Sequence, residues 1–311
     1  MRIAIVGAGA LGLYYGALLQ KAGADVCFLL RRDFEAITQK GLQVFSVDGD
    51  FHLDRVNGYR DSSEIGIVDL VLIGLKTFNN DCMVELVRPL VSSQTMILTL
   101  QNGLGNEEIL KAEFPVDQVM GGVAFLCANR GEPGTVHHLG QGAIRVGLSR
   151  GGKSDVATSV AETFTGAGIS CEYVNDLLKA RWEKLVWNIP FNGLCALSGK
   201  NVTELLEHPP SRQLAIDIMQ EVINSANAQS LSSPIAGESF IDRMIAATET
   251  MAGYRPSMMI DRLEGSPLEL DSIYRIPLER AGQVGVPAPL TRMLYCLLDL
   301  GECRAESKGF L

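Results

Sequence analysis

The chain has 311 residues, 47% hydrophobic and 20% charged, with a formal net charge of −9. That length suits two domains with a sizeable core, and the acidic balance excludes a nucleic-acid surface or an anionic membrane as the main partner. Seven cysteines, at 27, 82, 127, 171, 195, 296 and 303, contain no CxxC pair; no disulfide framework and no metal site is expected, and the thiols read as buried and reduced.

In chain order, residues 2–6 (Arg-Ile-Ala-Ile-Val) read as a buried strand leading into Gly7-Ala8-Gly9-Ala10-Leu11-Gly12. Residues 10–22 then read as a helix ended by Gly23, and 25–30 as a second strand. Strand, glycine turn, helix and strand within about 30 residues is one βαβ unit. Apolar runs at 67–75, 95–100 and 119–126 alternate with helical patterns at 79–91 and 105–112. This alternation implies a parallel sheet with helices on both faces. Residues 133–148 read as two short strands joined by a Gly-rich turn, so the sheet is expected to end in antiparallel pieces. A helix near 154–166 and a strand near 169–174 complete the first half. Beyond that, helices are expected at 176–197, 211–231, 237–252 and 287–300, with 253–268 as a loop rich in Gly, Pro, Ser and Met. The fold class is α/β: a Rossmann-type dinucleotide-binding domain over residues 1–174, followed by an all-α domain over 175–311. Outside the glycine-interrupted N-terminus no run of about 20 apolar residues appears, so no membrane span is expected and the cytoplasm is the default location.

A GxGxxG pattern alone is a weak signal, but here it follows an apolar strand and opens a helix, the context it requires. Gly7 permits the tight turn, Gly9 lets a pyrophosphate approach the backbone, and Gly12 lets the helix pack on the sheet. Residues 7–12 are thus candidate cofactor contacts, with phosphate at the helix N-terminus. The second strand ends in Arg31-Arg32, with Asp33 only afterwards. An NAD site would place a carboxylate there, whereas guanidinium groups suit the 2′-phosphate of NADP(H). Solvated surface arginines are the alternative. Lys76 and Gln101-Asn102-Gly103 follow apolar runs at the strand edge where open α/β sheets bind ligands. Asn102 could equally serve a turn.

Lys184, Asn188 and Asn192 recur every four residues and so stay adjacent on a helix face. Two asparagines on an otherwise apolar helix need partners, either a polar substrate or neighbouring helices. Pro190 removes one helical hydrogen bond and is expected to kink this helix.

These residues together resemble the ketopantoate reductases (2-dehydropantoate 2-reductases). The resemblance runs from the first strand to about residue 290. It rests on GAGALG at 7–12, the arginine after the second strand, Lys76 in LKTF, QNG at 101–103, Trp182-Glu183-Lys184-Leu185 with Asn188 and Asn192, and Ser257 ahead of Glu269. It implies NADPH-dependent reduction of 2-dehydropantoate to pantoate on the way to coenzyme A. Lys184 would be the general acid with Glu269 beside it, and Asn188, Asn192 and Ser257 would bind substrate; Asn102, from its strand-edge position, could touch the nicotinamide ribose or the substrate. Hydride addition to a 2-oxo group builds charge on its oxygen, which an ammonium group can stabilise and protonate. A reductase of another 2-oxo acid, or a non-catalytic NADP-binding sensor, are the rival readings; a complete Lys-Asn-Asn-Ser-Glu set argues against the sensor. The chain departs from the family at Asn192-Gly193-Leu194, where the family often has Asn-Pro-Leu. The partner is a small 2-oxo acid. Oligomeric state is not encoded in these patterns, and a homodimer is one candidate.

Overall fold

The structure, a computed structural model, describes residues 1–306, with side chains to residue 302. It divides into two compact units: Met1–Gln101 with Asn106–Leu177, and Asn102–Gly105 with the chain from Leu178 onward.

The first unit carries ten strands and five α-helices. In chain order they are β1 (Arg2–Val6), α1 (Ala10–Lys21), β2 (Asp25–Leu29), α2 (Phe34–Lys40), β3 (Leu42–Ser46), β4 (Phe51–Leu53), β5 (Asn57–Tyr59) and β6 (Leu70–Ile73). After these come α3 (Met83–Val87), β7 (Met96–Thr99), α4 (Asn106–Glu113), β8 (Val119–Arg130), β9 (Thr135–Leu148), α5 (Asp155–Gly166) and β10 (Cys171–Tyr173). One sheet runs in the order β4-β3-β9-β8-β7-β6-β1-β2-β5, with β10 added to β9. From β8 through β5 every neighbour is parallel. Side chains alternate across the sheet, as the strand period requires. Ile3, Ile5, Leu70 and Leu72 pack with Leu13, Tyr15 and Phe164 of α1 and α5. Ala4, Val6, Val71 and Ile73 pack on the other face with Met83, Val87 and Leu110 of α3 and α4. The expected parallel sheet with helices on both faces is therefore present.

Several expectations need correction. The run at 133–148 is one strand, β9, paired antiparallel with β8, and its glycines make an irregularity instead of a turn. Gly140, Gln141 and Gly142 all have positive φ, of 149°, 64° and 124°, and the β8–β9 register shifts alongside them. His138 bolts this distortion down. Its Nε2 lies 3.0 Å from the Gln141 carbonyl and donates to it, and Nδ1 lies within hydrogen-bond distance of the hydroxyls of Ser46 (2.9 Å) and Tyr14 (3.1 Å). The helical pattern at 79–91 is mostly two 3₁₀ turns around α3, Thr77–Cys82 before it and Arg88–Leu90, which contains Pro89, after it. β3, β4, β5 and α2 were not legible from the pattern at all. Of the cysteines, only Cys27 and Cys195 are buried; Cys82, Cys127 and Cys171 are half-buried and Cys296 is exposed. The Cys303 side chain lies outside the described residues.

The second unit is helical: α6 (Leu177–Ser198), α7 (Val202–Glu207), α8 (Pro209–Asn227), α9 (Gly237–Glu249), α10 (Ser257–Leu263), a π-helical turn Asp271–Arg275, α11 (Ile276–Gln283) and α12 (Pro289–Glu306). α6 carries four charged residues in its first half but is buried on nearly every side from Leu185 to Ala196, the pattern of a central helix. Its Trp182, Leu185, Val186, Ile189 and Phe191 sit in one core with Ile218, Met219 and Val222 of α8 and Leu294 and Leu298 of α12. α6 runs through Pro190 without a break. The expected loop at 253–268 contains α10. The sequence hid this helix because its cap is tertiary: the N-cap position is Pro256, which has no capping side chain, and Asn192 of α6 accepts from Met258 N at 3.1 Å instead. Among the described residues no helix is long and apolar enough to cross a membrane.

α1 packs on the sheet through Gly16, where a Cβ would lie 2.5 Å from Phe28 Cε1 and 3.0 Å from Ile5 Cγ1. Gly16→Val should cost about 1–3 kcal/mol of stability by overpacking. Thermal unfolding measures this, and an unchanged midpoint would show that the helix–sheet spacing relaxes freely.

Candidate functional site

The first candidate cluster lies at the carboxyl ends of β1, β6 and β7. Gly7 has φ +100°, and a Cβ there would lie 2.4 Å from the Leu75 backbone nitrogen. Only glycine lets the β1–α1 turn close onto the exit of β6, a closure also marked by the 2.8 Å bond from Gly74 N to Val6 O. A Cβ on Gly12 would fall 2.3 Å from Gly7 O, whereas one on Gly9 meets nothing within 4 Å. The turn is thus tight on its protein side and open at Gly9. α1 starts at Ala10 with Gly9 as N-cap, without a side-chain cap and without an acidic residue in its first turn. A tight turn, open backbone and uncapped positive helix end fit a dinucleotide pyrophosphate. Ala8, Ala10 and Leu11 complete the turn and are half-buried.

After β2, Arg31 is exposed and its side chain makes no hydrogen bond or ion pair among the described residues. Arg32 donates to Gly131 O at 3.1 Å, and Asp33 is buried. Lys76 is half-buried where β6 gives way to a 3₁₀ turn, Thr77–Cys82. Beside it runs an amide chain that the sequence reading missed. Thr99 Oγ1 donates to Gln101 Oε1 (2.9 Å), Gln101 Nε2 to Asn80 Oδ1 (2.7 Å), and Asn80 Nδ2 to Asn106 Oδ1 (3.0 Å). Each bond fixes which way the next amide points, so the chain sets the strand exits rigidly. The amides of LKTFNN and GLGNEE were the visible signal, but their partnership is not local.

The second cluster lies within the helical unit. Asn102 belongs there, not with the strand it follows. Gly103 has φ +78°, and a Cβ on it would lie 2.2 Å from Ser272 O, so glycine lets this segment touch the turn after Glu269. Leu104 N donates to Ser272 O at 2.9 Å. So placed, Asn102 Oδ1 accepts from Lys184 Nζ at 2.7 Å, and Asn102 Nδ2 donates to Glu269 Oε2 at 3.4 Å. Glu269 is only 2% exposed. Lys184, Asn102 and Glu269, far apart in sequence, are brought together as one group. Asn192 and Ser257 form a second pair, with Ser257 Oγ donating to Asn192 Oδ1 at 3.3 Å. Asn188 stands one turn along α6 from each, is 4% exposed, and its side chain makes no hydrogen bond among the described residues. A nearly buried amide left in that condition is costly unless something polar comes to it.

Residues 3–151 match the family model described as "Ketopantoate reductase PanE/ApbA", and residues 176–302 match "Ketopantoate reductase PanE/ApbA C terminal". A 2-dehydropantoate 2-reductase from Nostoc sp. is 44% identical over 299 residues, covering 94% of this chain and 93% of the relative. The crystal structure of 2-dehydropantoate 2-reductase from Geobacter metallireducens GS-15 is similar at TM-score 0.95 and 55% identity, covering 97% of this chain and 100% of that one. That from Methylococcus capsulatus is similar at TM-score 0.89 and 31% identity, covering 98% of each chain.

The chain belongs to the ketopantoate reductase family. Its departure at Gly193 has a steric reason. A Cβ on Gly193 would lie 2.5 Å from Tyr274 Oη and 2.7 Å from Leu294 Cδ2. Tyr274, in the π-helical turn after Glu269, donates to Ile189 O at 2.8 Å. Full burial pushes its phenol well above the ordinary value, so it remains a donor. This bond ties the helix bearing Lys184 to the segment bearing Glu269. Gly193→Ala should cost about 1–3 kcal/mol. The loss should shrink on a Tyr274→Phe background, because the hydroxyl in the way is then gone. A thermal double-mutant cycle with strictly additive losses would dismiss this account.

Proposed function

We propose that this ketopantoate reductase family member reduces 2-dehydropantoate to pantoate with NADPH, a step toward coenzyme A. The observation that carries the reading is the Lys184–Asn102–Glu269 group, an ammonium held 2.7 Å from an amide oxygen next to a buried carboxylate. The turn at residues 7–12 would hold the pyrophosphate, Arg31 the 2′-phosphate, and Lys76 the ribose beyond it. When bound, the nicotinamide cofactor supplies the hydride that adds to the 2-oxo carbon.

The chain's own residues do the rest. Lys184 Nζ lies beside the carbonyl oxygen, stabilises the charge developing there and gives it a proton. Glu269 lies beside Asn102, whose Nδ2 donates to it, and places a carboxylate next to the ammonium group. Asn102 holds Lys184 Nζ in place, so that less orientational freedom is lost on reaction. Asn188 supplies amide donors and an acceptor from a nearly dry position, suited to hydroxyl and carboxylate oxygens. Asn192, with its oxygen turned to α10, presents its NH₂ group, and Ser257 stands beside it for the same substrate. These groups bind oxygens without adding net charge.

Lys184→Ala tests the reading. Folding and NADPH binding should be almost intact, while kcat falls by about 10²–10⁴-fold, the usual worth of a general acid, or further through loss of the charge. Turnover near that of the unaltered chain would remove the assignment. A screen of 2-oxo acids by kcat/KM tests the substrate, since discrimination resides in that ratio.

Cofactor choice is tested separately. Arg31→Ala should raise the KM for NADPH and leave NADH use nearly unchanged. Equal losses with both cofactors would refute a 2′-phosphate contact.

A further inference from the structure

The acidic residue nearest the end of β2 is Asp33, and its placement bears on what a cofactor ribose would meet. Asp33 occupies the N-cap position of α2 but does not cap its own helix. Its side chain is 3% exposed; Oδ1 accepts from Gly134 N at 3.1 Å, and Oδ2 is paired with Arg130. Both partners flank the turn joining β8 to β9. Arg32 is also committed to that turn, through Gly131 O. Of three consecutive charged residues, two are therefore spent on the β8–β9 turn and Arg31 alone is exposed without a side-chain partner among the described residues.

We infer that the Arg130–Asp33 ion pair is a specificity device. It holds the carboxylate inside the β8–β9 turn and so leaves Arg31 as the group that faces the 2′-phosphate. A carboxylate at this end of the second strand is what binds the ribose hydroxyls of NAD, and beside a 2′-phosphate it repels. Arg130 and Asp33 thus set cofactor preference as positioning residues, without touching the cofactor. The inference rests on the NADPH reading above. Its physical core is that a buried carboxylate left without its cation is strongly destabilised in place. Without Arg130, Asp33 turns to water beside Arg31, where it pairs with the guanidinium or repels the phosphate.

Binding of two adenosine fragments to the full chain separates the possibilities by calorimetry. The probes are adenosine 2′,5′-bisphosphate and adenosine 5′-monophosphate, which differ only in the 2′-phosphate. The unaltered chain should prefer the bisphosphate. Arg130→Met should reduce that preference roughly tenfold, the scale of one added like charge near the protein surface. Adding Asp33→Asn to Arg130→Met should restore it, because no carboxylate is then left to release. An Arg130→Met chain with undiminished preference, or a double variant that fails to regain it, overturns the inference. Should Arg130→Met not fold, Asp33→Glu carries the same expectation: its carboxylate is one methylene too long for the slot, and an unchanged preference overturns the inference equally. If the unaltered chain itself shows no preference between the two fragments, the NADPH reading fails first, a result distinct from either of these.

Discussion

One amide holds the candidate catalytic group together. Asn102 accepts from Lys184 with its oxygen and donates toward Glu269 with its nitrogen. An amide can do both because it carries a donor and an acceptor on one rigid plane, and it adds no charge to a group that already contains two. The position of that amide depends in turn on Gly103, since any side chain there would collide with the backbone of Ser272. Gly103 thus matters to the proposed chemistry alongside the glycines of the β1–α1 turn.

The helix carrying Lys184 faces a related constraint. α6 is buried along most of its length, so each polar group on it must be answered. Lys184 is answered by Asn102, and Asn192 by Ser257 and the first turn of α10. Pro190 forfeits one helical donor, and in the next turn Gly193 makes room for Tyr274, whose hydroxyl bonds the Ile189 carbonyl. Two groups are unanswered within the described residues: the buried Trp182 indole nitrogen and the nearly buried Asn188 amide. A stable helix tolerates such an amide where a ligand is its partner, which is why the proposed substrate contacts concentrate on this face.

Two strand-exit regions show how a sheet edge becomes specific. At β1 the backbone itself is the device, tight against Leu75 and open at Gly9. At β6 and β7 side-chain amides are the device, linked from Thr99 to Asn106 so that each fixes its neighbour's orientation. At β2 neither applies; three charged residues are sorted by what the β8–β9 turn takes from them. Preorganisation of this kind lowers the orientational cost of binding.

The sequence alone determined the parts whose cause is local. The β1–α1 turn was readable because glycines at fixed spacing after an apolar strand answer a steric need within the turn, and the central parallel strands because burial on both faces leaves continuous apolar runs. The Lys-Asn-Asn spacing was readable because helix period alone puts those residues on one side. Tertiary structure decided whatever depends on a partner distant in the chain. It made 135–148 a single long strand, because β8 supplies its hydrogen bonds and His138 secures the glycine irregularity. It made 257–263 a helix, because the cap comes from Asn192. It assigned Asn102 to the helical unit and tied Asp33 to the β8–β9 turn. Apart from the β8–β9 hairpin, these are hydrogen bonds or close backbone approaches between segments tens of residues or more apart, and no local pattern encodes where such partners meet.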